Sequence, residues 1–210
     1  MNNLFLINVS ESPECVLDQI LNIKRFVSPD EYIILHISGS TKDKFIDESL
    51  QLGINFFNMG HNNVFVNSEN IKTMSGHFLT EAFISSFKFA IRIGLEFDKV
   101  VLNSSNQLYV RTGLKEHLEK YDAGVHSIIS SGRFGMYRDR EWSKNPNSPN
   151  NIFLGRIFGE YRYSYFSFHE GSFFKKDHFD IMRGIIEKYS PQDYETSEEQ
   201  TIPSLFNNLW

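Results

Sequence analysis

Two carboxylate-bearing segments near the C-terminus are where this sequence could do chemistry. In Ser197-Glu198-Glu199-Gln200 a pair of glutamates opens a predicted helix. A carboxylate there becomes a general base toward a hydroxyl if it lines a cleft. It can equally serve the helix alone, because acidic first-turn residues favour the macrodipole and Ser197 is an ordinary N-cap. In His169-Glu170-Gly171-Ser172-Phe173-Phe174 an imidazole and a carboxylate precede a Gly-Ser turn that leads into aromatic residues. Three more segments fall at the ends of predicted strands: Asn8-Val9-Ser10, His36-Ile37-Ser38 and Asn103-Ser104-Ser105-Asn106. Ligands of open parallel sheets bind beyond the carboxyl ends of the strands. Uncharged apart from the histidine, these segments suit a neutral, hydroxyl-rich ligand. Asn and Ser also end strands simply to satisfy turns.

Other chemistries lack their residues. No Gly-x-Gly-x-x-Gly follows the first apolar run, and no Walker A sequence occurs, so neither phosphate cradle is present. No His pair stands at helical metal-ligand spacing with a Glu. Cys15, inside a predicted helix, reads as a small core residue rather than a nucleophile. His36 reads as a packed or turn-bonded histidine more readily than as a base.

The elements that must position these groups alternate. Leu4 to Val9 is a continuous apolar run, the pattern of a strand buried on both faces. Ser12 and Pro13 then start a helix with Val16, Ile20, Ile23 and Val27 on one face. Glu31 to Ser38 is a second strand, and a connection of this length makes the pair parallel. Further helices are expected over Lys42 to Leu52, His77 to Ile93, Gly113 to Tyr121, Asp177 to Tyr189 and Glu198 to Asn207. In the second of these the packing face is expected to be Phe78, Ala82, Ser85, Ser86, Phe89 and Ile93, with Gly94 as the stop. Further strands are expected at Asn63 to Val66, Lys99 to Asn103 and Val125 to Ile129. Arg133 to Asn151 reads as a long loop, and the alternating Ile152 to Phe168 as one or two strands. The whole is an α/β architecture with a mostly parallel sheet flanked by helices.

Composition agrees. The 210 residues suit one domain over 1–210, and 40% hydrophobic with 22% charged residues excludes disorder. No apolar run reaches the roughly 20 residues of a membrane span. The start, Met1-Asn2-Asn3, lacks a basic n-region, so a signal peptide is not expected. A net charge of −5 argues against nucleic-acid binding by bulk charge. The single cysteine excludes an internal disulfide. A cytoplasmic location is expected, with peripheral contact at the inner face of the membrane left open.

The ordered motifs resemble those of the core 2 and I-branching β-N-acetylglucosaminyltransferases and their peptide O-xylosyltransferase relatives. Asn63-Val64-Phe65-Val66 is similar to that family's "NVF(I/V)" strand. Gly76 to Ala82 stands where the family has "W-x-L-V-x-A", and Asp98 to Leu108 where it has an apolar strand ending in "LSGxDxP". His36-Ile37-Ser38 resembles its "H-x-D", Gly171 to Phe174 its "G-S-x-(Y/F)-F", and Ser197 to Glu199 its "S-P-D-E". The resemblance is collinear from about residue 4 to residue 206. Ser38 and Asn106 replace two family aspartates, and the tryptophan near Gly76 is absent.

The resemblance implies a GT-A-like fold and inverting, metal-independent transfer of a sugar, GlcNAc or xylose, from a UDP-sugar to an acceptor hydroxyl. It gives Glu199 the role of base. Asn8, Val9, Ser10, His36, Ser38, Ser104, Ser105 and Asn106 are expected to meet the donor, and Glu170, Gly171 and Ser172 the acceptor. No cofactor is expected beyond the UDP-sugar as co-substrate. The family's diphosphate-binding basic residues lie downstream of the base. Here Arg133, Arg138 and Lys175 are the candidates, and a C-terminally shortened chain is the alternative. Brevity and the lack of disulfide cysteines fit bacterial surface-glycan synthesis with a glycan or lipid-linked acceptor. The competing reading is a catalytically inactive sugar or nucleotide-sugar binding module, or a partner subunit of the same fold.

Overall fold

The computed structural model describes residues 2–37, 62–67, 79–125, 170–189 and 198–210, the stretches 128–129, 149–159 and 165–166, and residues 55 and 69. The helix expected over 42–52 and the residues Ser38, Arg133 and Arg138 lie outside these.

Strand β1 (Leu4–Val9) is buried along its whole length, as a continuous apolar run requires. Helix α1 (Pro13–Phe26) follows at once, with the Ser12 hydroxyl accepting from the Cys15 N–H at 3.4 Å. It returns the chain to β2 (Tyr32–Ile37), which pairs with β1 in parallel. β3 (Val64–Asn67) lies parallel outside β2. Helix α2 (Leu79–Arg92) leads to β4 (Lys99–Ser104), which lies parallel on the other side of β1. After α3 (Leu114–Lys120) come β5 (Ala123–Gly124) and β6 (Ile128–Ile129). Helix α4 (Pro149–Phe158) and β7 (Tyr165–Phe166) precede β8 (Phe173–Lys175), α5 (Lys176–Tyr189) and α6 (Glu198–Leu209).

The main sheet runs β3-β2-β1-β4-β8-β5, with β8 antiparallel to both its neighbours. β6 and β7 form a separate antiparallel ribbon. The alternation of side chains along the strands divides the core in two. On one face Leu4, Leu6, Ile34, Val100 and Leu102 meet α2, α4, α5 and α6 through Phe83, Phe87, Phe153, Met182 and Leu205. On the other, Phe5, Ile7, Ile33, Leu35 and Val101 meet α1 through Val16, Ile20 and Ile23. Each such fully buried side chain contributes about 1.5–3 kcal/mol of transfer free energy.

Three expectations are corrected. The span 149–158 is helical rather than loop and strand, because Phe153 and Leu154 enter the core side by side. In α2 the expected Ala82, Ser85 and Ser86 are buried, but Phe83, Phe87 and Ala90 are buried with them, and Ile93 is 39% exposed. Residues 82–87 of this helix are buried in an unbroken run, wider than any one stripe of its period. Cys15 is exposed, one position off the buried face that begins at Val16. Gly94 does end α2. Its N–H bonds to the Ile91 carbonyl and the Leu95 N–H to the Ala90 carbonyl, the paired bonds of a Schellman cap.

Candidate functional site

The strand order fixes where a ligand would enter. From β1 the chain moves by way of α1 to β2 on one side, while β4 lies on the other. The crevice beyond the carboxyl ends of β1 and β4 is therefore the topological switch point of the sheet. Asn8-Val9-Ser10 and Ser104-Ser105-Asn106 flank it.

Register places Asn67, His36, Asn8 and Ser104 side by side across β3, β2, β1 and β4. Residues so aligned point to one face, here the face of α2. Asn8 Nδ2 donates to the Leu79 carbonyl at 3.5 Å, and Asn67 Nδ2 to Ser85 Oγ at 2.7 Å. His36 is 0% exposed and belongs to this interior row, while Asn8 retains 7% exposure. At the end of the row Ser104 Oγ donates to Glu170 Oε1 at 3.2 Å.

Glu170 is held there by backbone. The Gly171 N–H donates to the Leu102 carbonyl at 2.9 Å, and the Leu102 N–H to the Ser172 carbonyl at 2.9 Å. Gly171 has φ +75°, a conformation that L side chains rarely adopt, which lets the turn fold onto β4. The structure thus brings Asn8, Ser104, Glu170, Gly171 and Ser172 to one end of β4.

The opposite face of the same strand ends is built differently. Val9 is buried in the α1-side core, so only its backbone can face a ligand. The Ser10 N–H donates to Ser105 Oγ at 3.0 Å, and the two hydroxyls lie 3.2 Å apart, clasping the loops after β1 and β4. Asn106 is exposed in the turn that follows. Behind it Asn103 Nδ2 donates to Gln107 Oε1 at 3.1 Å and to the Tyr109 hydroxyl at 3.0 Å. Burial pushes the Tyr109 phenol up to about 12, against the smaller opposing effect of the Asn103 bond. Gln19, Asn22, Gln107 and Tyr109 all take part in holding this loop, and none was expected from the sequence.

Lys175 is corrected as a diphosphate candidate. It stands opposite Lys99 in the antiparallel pair, at the amino end of β4. From there the crevice is a full strand away, roughly 17 Å at about 3.3 Å per residue. Its Nζ is paired with Asp122 Oδ1 at 3.0 Å. Hydrogen bonding and charge from Asp122 raise the Lys175 pKa and lower that of Asp122.

Glu199 lies in the first turn of α6, whose Ile202 and Leu205 pack on the same sheet face as the Asn8–Ser104 row. Pro203, inside this helix, has no N–H to offer the Glu199 carbonyl four residues earlier. Among the described residues no group of three or more His, Cys, Asp or Glu side chains is placed to hold a metal ion. No helix among them is long and apolar enough to cross a membrane.

Neither a protein-family model nor a curated protein sequence matches the chain. Solved structures do. The chain is similar to S. aureus TarS over 99% of its length, with a TM-score of 0.51 and 16% identity. The architecture is GT-A-like. The S. aureus TarS 1-349 structure in complex with UDP matches at a TM-score of 0.50, also over 99% of this chain and at 16% identity. The chain spans 34% of the TarS chain and 56% of the 1-349 form. Of the residues singled out by the motifs, Asn8, Ser10, Ser104, Ser105 and Glu170 lie at the carboxyl ends of β1 and β4, whereas Lys175 lies at the amino end of β4.

Proposed function

We infer that this chain is a glycosyltransferase domain that moves a sugar, GlcNAc or xylose, from a UDP-sugar to an acceptor hydroxyl in bacterial surface-glycan synthesis. The observation that carries the reading is the polar lining of the β1–β4 crevice, in a sheet similar to that of S. aureus TarS 1-349 in complex with UDP. Uncharged donors and acceptors from Asn8, Ser10, Ser104, Ser105 and Asn106 suit a uridine and a sugar. The motif resemblance supports an inverting mechanism. Glu199 takes the proton of the acceptor hydroxyl as its oxygen attacks the anomeric carbon, and UDP leaves from the opposite side with the bonding electrons. Glu170, Gly171 and Ser172 orient the acceptor. Arg133 and Arg138 are the remaining candidates for the departing diphosphate, an electrostatic role that basic side chains can fill without a metal.

The test is a melting series with UDP and a panel of UDP-sugars in the presence of EDTA. At a concentration of 100 Kd a nucleotide bound only to the folded state adds about 2.7 kcal/mol. Stabilisation by UDP and by one or more UDP-sugars is expected. A melting temperature that no nucleotide moves overturns the reading.

A further inference from the structure

Helix α1 carries two amide side chains, Gln19 and Asn22, at the i, i+3 spacing that puts them on one face. Together they grip the backbone of the loop after β4. Gln19 Nε2 donates to the Ser104 carbonyl at 2.6 Å, while Gln107 Oε1 accepts from the Ser104 N–H at 3.0 Å. Both backbone groups of the last β4 residue are thus held by side chains. Asn22 does the same at the far end of the loop. Its Oδ1 accepts from the Tyr109 N–H at 2.7 Å, and its Nδ2 donates to the Tyr109 carbonyl at 2.9 Å.

Gln19 is fully buried among Val16, Ile20 and Ile23. A buried amide costs free energy unless it is bonded. Its Oε1 has no hydrogen-bond partner among the described residues, so the single bond to Ser104 is what the amide provides there. An apolar side chain of the same size would pack in that position without the cost. The gain from the amide is therefore positional: it fixes where Ser105 and Asn106 stand. Since α1 also begins directly after β1, with Ser12 as its cap, one rigid helix sets both lips of the crevice.

We propose that Gln19 and Asn22 are positioning residues of the nucleotide site, holding the Ser105–Asn106 turn in place for a uridine diphosphate sugar. The proposal rests on the glycosyltransferase reading above.

The test uses the whole chain and the variants Asn22→Leu, Asn22→Asp and Gln19→Met. UDP affinity is read by calorimetry, and amide hydrogen exchange is read across the chain. Exchange at 105–110 is expected to quicken about tenfold in Asn22→Leu and Gln19→Met, with UDP binding about tenfold weaker. Exchange in the core of β1 and β4 stays as in the unaltered chain. Asn22→Asp keeps the acceptor for the Tyr109 N–H and loses less on both readouts. Unchanged UDP affinity despite faster loop exchange overturns the proposal and leaves the glycosyltransferase reading intact. So does unchanged loop exchange, or a loss of protection spread evenly through β1 and β4. If the unaltered chain binds no UDP, the glycosyltransferase reading fails and the proposal falls with it. Should Asn22→Leu not fold, the other two variants carry the test.

Discussion

The Ser104 hydroxyl donates to the Glu170 carboxylate at 3.2 Å, although the two residues stand 66 positions apart in the sequence. The bond ties the last residue of a central parallel strand to the turn before an antiparallel one. It fixes a carboxylate at the carboxyl end of β4, where the proposed function has it orient the acceptor.

Glu170→Gln is therefore expected to weaken the acceptor selectively. The amide keeps an oxygen for Ser104 but accepts more weakly from a hydroxyl than a carboxylate does. We expect a loss of about tenfold in acceptor kcat/KM, or about 1.4 kcal/mol, with donor KM unchanged. Steady-state rates with each substrate varied in turn check it. A loss confined to donor KM would move Glu170 to the nucleotide side.

Glu199→Gln separates binding from chemistry. If Glu199 is the base, turnover falls by about 10²–10⁴ while UDP affinity stays within a few-fold. Transfer assays beside calorimetric UDP titration check both halves. Retained turnover would remove Glu199 from the mechanism, and the fold would stand.

Lys175→Met is expected to leave UDP affinity unchanged, because the side chain sits at the amino end of β4 and pairs with Asp122. A UDP titration of this variant against the unaltered chain decides the point. A weakened complex would contradict the placement of the lysine.

How much of this was legible in the sequence depended on how local the signal was. The strands β1, β2 and β4 announce themselves as apolar runs, and α1 by its cap, proline and period. The position of Lys175 was not legible. Strand direction decides which end of the sheet a terminal residue occupies, and nothing within Phe173-Phe174-Lys175 tells antiparallel from parallel. Glu170 and the strand-end asparagines and serines were legible as polar residues at turns. Their convergence depends on register, which is a tertiary property. Gln19 and Asn22 carry little signal in the sequence, because amides on a helix are mostly solvated. Their one signal was that Gln19 falls among Val16, Ile20 and Ile23, on the face that must be buried.

Tyr109 makes the loop sensitive to alkali. Its phenol ionises near 10 in an unfolded chain and at about 12 in the fold. Between those values the folded state keeps a proton that the unfolded state has released, so stability falls as pH rises through the window. The loss amounts to something on the order of 3 kcal/mol. In Tyr109→Phe that alkaline loss is expected to vanish, with a pH-independent cost of about 1 kcal/mol from the missing bonds to Asn103. Denaturant unfolding at pH values from 8 to about 12 checks it. An identical pH profile for the two proteins would exclude Tyr109 as the source.

Because α1 anchors the loop after β4 and itself springs from the loop after β1, the gap between them has a set width. On the proposed function, a nucleotide would have to match that gap rather than mould it. The entropy of arranging the lips is lost when the protein folds, not when the guest arrives, which favours tight binding of a well-fitting base and steep rejection of a bulkier one. Damage to a helix that touches no substrate would then show itself as a change in selectivity.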